Sequence, residues 1–230
     1  MKRKCETCTH YKCIINKYCS PEWKTLISFH KTSMLYPAGA TIFSTGDPIK
    51  GIFQIYSGKI KVVTTDGEKE QIIRLAKEEQ LLGHRGFGKK MIYPVTAIAL
   101  EDSEVTFIPV DVFYSAVKAN SEFAFQMMLF YADELNAAEK RMKLTASLKA
   151  KEKVIVALMT IIRAFGFSST DNTLLEYTPT RKDIASIAGT TYETMIRALS
   201  SLEKSNIIVQ EGKAIRVLDL AYLEKHCLLD

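Results

Sequence analysis

The stretch TRKDIASIAGTTYETMIRALSSL, residues 180–202, constrains the fold more than any other part of the chain. Thr180 followed three residues later by Asp183 is a helix-start signature, and Ile184, Ile187 and Ala188 then mark one apolar face. Gly189 ends that helix. A second begins at Thr190 or Thr191, with Met195, Leu199 and Leu202 on its inner side and Tyr192, Glu193, Ile196 and Arg197 together on the outer one. Two strand-like runs follow in IIVQEGKAIRVL, joined around Glu211, Gly212 and Lys213 in a glycine-containing hairpin. Two helices at a glycine turn with a hairpin behind the second make a winged helix-turn-helix.

The outer face carries chemistry suited to a DNA major groove. Arginine offers a planar fork to the O6 and N7 of guanine, and glutamate accepts from the N4 amine of cytosine. Glu193 and Arg197 are four apart and therefore neighbours. The expected DNA-facing set is Thr180, Arg181, Thr191, Tyr192, Glu193, Ile196, Arg197 and, on the wing, Lys213. The plainer alternative is a helical hairpin capped by a small sheet, with Thr190 and Glu193 as a capping box and Arg197 paired with a surface carboxylate. The coincidence of turn, face and wing favours DNA.

Composition adds bounds. A chain of 230 residues, 47% hydrophobic and 25% charged, suits a globular protein of one or two domains. The longest apolar run, residues 154–162, is too short to span a membrane, and no segment reads as a signal peptide, so a cytoplasmic protein with no membrane partner is expected. The net charge of +5 permits nucleic-acid binding. Residues 178–230 are balanced in charge, whereas KRMKLTASLKAKEK before them is basic. A neutral reading domain needs a dimer for affinity, helped by Lys149, Lys151 and Lys153 if these face phosphate rather than forming a solvated helix face.

Upstream, residues 34–110 hold short alternating runs, TIFSTG, GIFQIYSG, KIKVVTTDG and KEQIIRLA, with turns expected at Gly39, Gly46, Gly51, Gly58 and Gly67. They imply an antiparallel β-roll of the jelly-roll or double-stranded β-helix kind. The loop at residues 83–88 offers backbone amides with His84 and Arg85 to an anion, or is a tight turn with solvated basic residues; the absence of a phosphate-loop motif favours the turn. A short helix is expected from Asp111 and a long one from Ser121 to about Leu148. In the long helix Ala124, Met128, Tyr131, Leu135, Ala138, Met142 and Thr145 recur at steps of four and three, a seam for dimerisation or for an internal core face. Another helix closes at Gly166, and FSSTDNTLLEYTP is a polar link. The whole is α+β: a cysteine-rich tail at 1–20, a sensory roll at 21–120, a dimerisation helix at 121–148 and a winged helix-turn-helix domain at 149–230.

The tail holds Cys5, Cys8, Cys13 and Cys19, with His10 among them. Grouped thiols in a reducing compartment suggest an iron–sulfur cluster, zinc or redox chemistry, and free thiols are the remaining alternative. The spacing C-x2-C-x4-C-x5-C contains one C-x2-C pair.

A roll, a seam helix and a C-terminal winged helix-turn-helix, in that order, resemble the bacterial Crp/Fnr family of transcription regulators. The resemblance runs from about Met34 to Leu218 and is most specific in TRKDIASIAGTTYETMIRALSSLEKSNII and the wing GKAIRV. It implies a homodimer that binds a palindromic operator in double-stranded DNA and recruits RNA polymerase. Glu193 and Arg197 match the family's base-reading pair, and Tyr192 stands where the cyclic-AMP-dependent activator has a further base-reading arginine, which implies a TTGA-like or otherwise relaxed outer position in place of TGTGA. Cyclic-AMP binders of the family carry Gly-Glu and Arg-Ser pairs in the effector pocket. Here Gly83-His84 and Pro94-Val95 match those positions, so cyclic AMP is not expected to bind in the usual way. The oxygen-sensing members hold a cluster with three N-terminal cysteines and one from the sensory domain, whereas this chain has no cysteine between Cys19 and Cys227. A cluster would therefore use all four tail thiols. An enzyme is not expected, because no nucleophile–base pair or hydrolase motif is present. The rival class is an effector-responsive protein-interaction module without sequence-specific DNA binding.

Overall fold

The computed structural model describes residues 4–67 and 69–227. The chain forms two compact units, Met1–Thr65 with Ala76–Leu135, and Asp66–Leu75 with Asn136–Asp230. No helix among the described residues is long and apolar enough to cross a membrane.

The chain begins with α1 (Ile14–Tyr18) and α2 (Pro21–His30), followed by β1 (Thr32–Tyr36), β2 (Thr41–Phe43), β3 (Gly51–Ser57), β4 (Lys59–Asp66), β5 (Lys69–Lys77), β6 (Leu81–Leu82), β7 (Thr96–Ala99) and β8 (Ser103–Pro109), all in the first unit except most of β5, which groups with the second. The strands make two four-stranded sheets, β1-β8-β3-β6 and β2-β7-β4-β5, with antiparallel pairing at every register resolved. β3 is buried continuously from Gly51 to Ile55, so both of its faces are covered: the cross-strand pair Ile52 and Ile108 lies on one face and the pair Ile55 and Val105 on the other. Gly51 is not the turn its sequence suggests. It opens β3 at a register opposite Pro109, and a Cβ there would overlap the carbonyl oxygen of Ile108, so close strand approach demands glycine.

Residues 4–20 of the segment expected as a separate tail, 1–20, belong to the first unit, and residues 1–3 lie outside the described ones. Cys5, Cys13, Ile15 and Cys19 are buried in one apolar cluster with Ile27, Ile52, Ile108, Phe113 and Phe123. Full burial of one such aliphatic or aromatic side chain stabilises by about 1.5–3 kcal/mol, which is why α1 and α2 stay on the roll. A helix, α3 (Val110–Ala119), follows β8 and inserts Val112, Phe113 and Ala116 into the same cluster.

The long helix α4 (Ser121–Ser147) follows. Its inward stripe is Phe123 and Met127, with Phe130 packed beside them. The seam read from the sequence lies elsewhere on the helix: Met128, Leu135 and Met142 are 57%, 61% and 71% exposed. Ala124 and Ala138 are half-buried, and the side chain of Thr145 lies outside the described ones. The seam is thus not the internal core face.

The second unit contains α5 (Ala150–Phe165), α6 (Arg181–Ala188), α7 (Tyr192–Lys204), the hairpin β9 (Ile208–Glu211) and β10 (Ala214–Val217), and α8 (Leu220–His226). Val154, Ile155, Leu158 and Ile161 of α5 are buried, as are Ile184 of α6 and Met195, Leu199 and Leu202 of α7. The segment after Gly166 is more than a link. Phe167 bridges Leu175, Leu174 bridges Arg216, and Val217 N donates to Thr173 O at 2.8 Å, so this segment adds an edge to the wing sheet.

Candidate nucleic-acid interface

Local chemistry sets both helices of the reading motif. Thr180 caps α6, its Oγ1 accepting from Asp183 N at 3.1 Å and donating to the Asp183 carboxylate at 2.7 Å. Gly189 ends α6 in the left-handed region at φ 60°, where a side chain would be strained. Thr191, rather than Thr190, caps α7: its Oγ1 accepts from Thr194 N at 3.2 Å and donates to Thr194 Oγ1 at 2.9 Å. Arg197 Nη2 donates to that same Thr194 hydroxyl at 3.3 Å.

With Met195, Leu199 and Leu202 buried, the opposite face shows Tyr192, Glu193 and Arg197 exposed and Ile196 half-buried. Sequence reasoning placed these four correctly, because a 3.6-residue period leaves them no other face. Arg181, expected on the DNA face, also reaches the wing. Its guanidinium donates to the carbonyls of Lys213 at 3.2 Å and Gly212 at 3.3 Å, tying α6 to the wing turn. Lys213 itself is exposed at the wing tip. Lys151 lies over the Tyr222 ring, 5.7 Å from its centroid.

Two contacts that sequence reasoning missed hold the wing. Glu203 accepts from Gln210 N at 2.7 Å and from Gln210 Nε2 at 3.0 Å. Arg216 donates to both oxygens of Glu211, at 2.7 and 3.2 Å, to Thr173 Oγ1 at 2.8 Å and to the Asp171 carboxylate. The Thr173 hydroxyl, then Arg216, holds the Asp171 carboxyl well below the usual range, and Arg216 lowers that of Glu211. The turn chemistry of Asp171, which accepts from Thr173 N at 3.0 Å, is visible in the sequence as Asp-Asn-Thr; its arginine partner is not.

The geometry has counterparts. The cyclic nucleotide-binding domain family matches residues 34–120, and the Crp-like helix-turn-helix domain family matches residues 152–226. The fumarate and nitrate reduction regulatory protein of Escherichia coli strain K12 is 31% identical over 183 residues, spanning 78% of this chain and 72% of that protein. The chain belongs to the Crp/Fnr family of transcription regulators. The transcriptional activator protein FnrA of Stutzerimonas stutzeri is 28% identical over 182 residues, 79% of this chain and 74% of that protein. The structure of FixK2 from Bradyrhizobium japonicum shares the fold, with a TM-score of 0.75 at 22% identity over 85% of this chain and 96% of that one. As a Crp/Fnr regulator the chain binds DNA through its helix-turn-helix and is not an enzyme.

The Crp/Fnr effector loop is built differently from the expectation of solvated basic residues. His84 is 2% exposed, and its Nε2 lies 3.5 Å from a Glu134 oxygen on α4. Arg85 donates to the same oxygen at 2.7 Å, and Tyr131 Oη donates to His84 O at 2.9 Å. Tyr131, expected in the seam, thus reaches back to its own roll. At the second pair of pocket positions Val95 is buried and Pro94 exposed. The neighbouring Tyr93 ring stacks 4.3 Å from Phe43 and donates its hydroxyl to Gly51 O at 2.7 Å, filling the roll. Even a Cβ at Gly83 would stand 3.0 Å from that ring.

Three of the four thiols converge on one small cavity. Cys5, Cys8, His10 and Cys13 line one cavity of about 20 Å³. Among the described residues no group of three or more His, Cys, Asp or Glu side chains is placed to hold a metal ion. Cys13 Sγ caps α1 by accepting from Asn16 N at 3.4 Å and also accepts from Gln54 Nε2 at 2.5 Å. Cys5 Sγ accepts from Lys31 Nζ at 3.1 Å. Burial raises the Cys13 thiol above its ordinary pKa and pushes Cys19 up to about 11. Four thiols suit an iron–sulfur cluster or zinc by donor type. As placed, the sulfurs of Cys5 and Cys13 are turned to Lys31 and Gln54, and a cavity with room for about one water is too small for a cluster of several iron and sulfur atoms.

Proposed function

We propose that the chain acts as a homodimer on a palindromic operator, each copy laying α7 in the major groove with Glu193 and Arg197 on base edges. The observation that carries this reading is the exposed Glu193 and Arg197 on a helix whose opposite face is fully buried, beside a wing fixed by Arg181 and Arg216. The second copy covers the seam of Met128, Leu135 and Met142, which is offset from the stripe that α4 buries in its own unit. RNA polymerase is the partner through which bound dimers act. The Thr180 and Thr191 ends of the two helices and Lys213 at the wing tip lie toward phosphate.

Tyr192 leaves the outer operator position relaxed or TTGA-like. Selection of binding sites from a random library tests both claims: a palindrome with a relaxed outer base pair is expected, and a strict TGTGA half-site overturns the assignment to Tyr192. Arg197→Ala is expected to lose about 1–3 kcal/mol of affinity at one base pair per half-site and to relax preference there. A uniform loss on all sequences makes Arg197 a phosphate contact and overturns its base-reading role.

A further inference from the structure

Two of the buried cysteines terminate α1. Cys13 caps the start of α1, and Cys19 closes its end through its backbone N–H. Cys5 is different. Its sulfur accepts from Lys31 Nζ at 3.1 Å, and its own N–H donates to Ser28 Oγ at 2.7 Å, which fixes the Cys5 backbone beside the amine. Lys31 is 7% exposed, and an amine buried this deeply without a partner would be costly. Its partner is the sulfur.

Beside the pair lies the cavity of about 20 Å³, with room for about one water or another molecule of one or two heavy atoms. His10 stands on its wall, and His10 Nδ1 is buried without a hydrogen-bond partner. A small polar guest would satisfy that nitrogen while lying against Cys5. Hydrogen peroxide is such a guest, and sulfur is what it oxidises.

We propose that Cys5 and Lys31 form a peroxide-sensitive pair that closes into a covalent sulfur–nitrogen link. In the first step peroxide transfers one oxygen to the Cys5 thiol, giving the sulfenic acid and releasing water; sulfur is oxidised by two electrons and peroxide is reduced. In the second, Lys31 Nζ attacks the sulfur and the S–O bond breaks. The ammonium gives up two protons, one leaving with the hydroxide as water and one to solvent, so that an S–N bond replaces S–O without further oxidation. Two equivalents of an external thiol reverse the link, restoring thiol and amine and forming one external disulfide. Enclosure favours the amine over water as the attacking group, since Nζ is already in contact with the sulfur. Cys13 is the less suited partner, because its sulfur is held by Asn16 N and Gln54 Nε2. The link staples the N-terminal segment to the end of α2, a redox state of the chain independent of the DNA-reading claim.

The test is peptide mapping by tandem mass spectrometry on the full chain after treatment with hydrogen peroxide. The expected result is a cross-linked pair of peptides joined at Cys5 and Lys31, loss of trypsin cleavage after Lys31, and recovery of both on adding dithiothreitol. Lys31→Arg and Lys31→Met should lose the cross-link and carry Cys5 on to the sulfinic acid. The wild-type map stands whether or not those variants fold. A disulfide from Cys5 to another cysteine overturns the proposal, as does a Cys5 that still alkylates after peroxide has oxidised Cys8. Operator binding is read separately, so its failure is distinguishable from failure of the link.

Discussion

In the reading head, Glu193 and Arg197 stand exposed on α7 while Arg181, Glu203 and Arg216 behind them brace the wing; in the roll, Lys31, Gln54 and His84 are buried and turned to partners inside their own unit. The difference is energetic as much as geometric. An exposed reader is solvated until DNA replaces the water, so deleting it strands nothing. A buried polar group is tolerable only while its partner is present, and deleting one member leaves the other unsatisfied at about 1–3 kcal/mol. The head should therefore change specificity without losing stability, and the roll the reverse.

The sharpest way to break that contrast is in the apolar layer that carries the thiols. Phe113→Ala removes a ring stacked on Phe87 and set edge-on to Phe123, and should destabilise by about 3–5 kcal/mol in denaturant unfolding. Operator affinity per folded molecule should be unchanged; a matching loss of affinity would mean that the two regions are not separable in this way. In the head, Arg197→Ala should leave the unfolding midpoint within about 0.5 kcal/mol of the parent while specificity falls. A clear drop in stability would show that its bond to Thr194 matters more to α7 than to DNA.

Glu134→Gln removes the carboxylate from the half-buried Arg85 pair and should cost about 1 kcal/mol, with an Arg85→Gln cycle isolating the coupling. Absence of coupling would make the loop a passive turn. The smallest effect belongs to the wing. Asp171 has a folded pKa lowered by Thr173 and Arg216, so its contribution is present above the ordinary aspartate range and is lost as pH falls through the folded value. Thermal melts of Asp171→Asn against pH should show a shallower acid limb than the parent, and an unchanged limb would place acid sensitivity elsewhere.

The head was legible because its information is local. A cap, a glycine and a 3.6-residue period fix Thr180, Gly189 and the outer face of α7 with no knowledge of distant residues. The roll's strands were readable for the same reason. What escaped was long-range pairing: Arg85 with Glu134, Cys5 with Lys31, and Arg216 with Asp171 bring together residues whose separation carries no signal in one sequence. Gly51 was misjudged because glycine marks both turns and close strand contacts, and only the approach of Ile108 distinguishes them. The first twenty residues looked like a tail because cysteine reads as chemistry before it reads as core, although free cysteine is among the most buried residue types.

The hydroxyl of Thr194 connects the α7 cap to Arg197, and this has a consequence for selectivity. A free arginine loses about 2 kcal/mol of rotamer freedom when it is fixed, a cost that falls equally on right and wrong operators. Resting on Thr194, Arg197 has given up part of that freedom before any DNA arrives. Less of the binding free energy then goes into ordering the side chain, and the contest between operators is settled mainly by which bases can complete its hydrogen bonds.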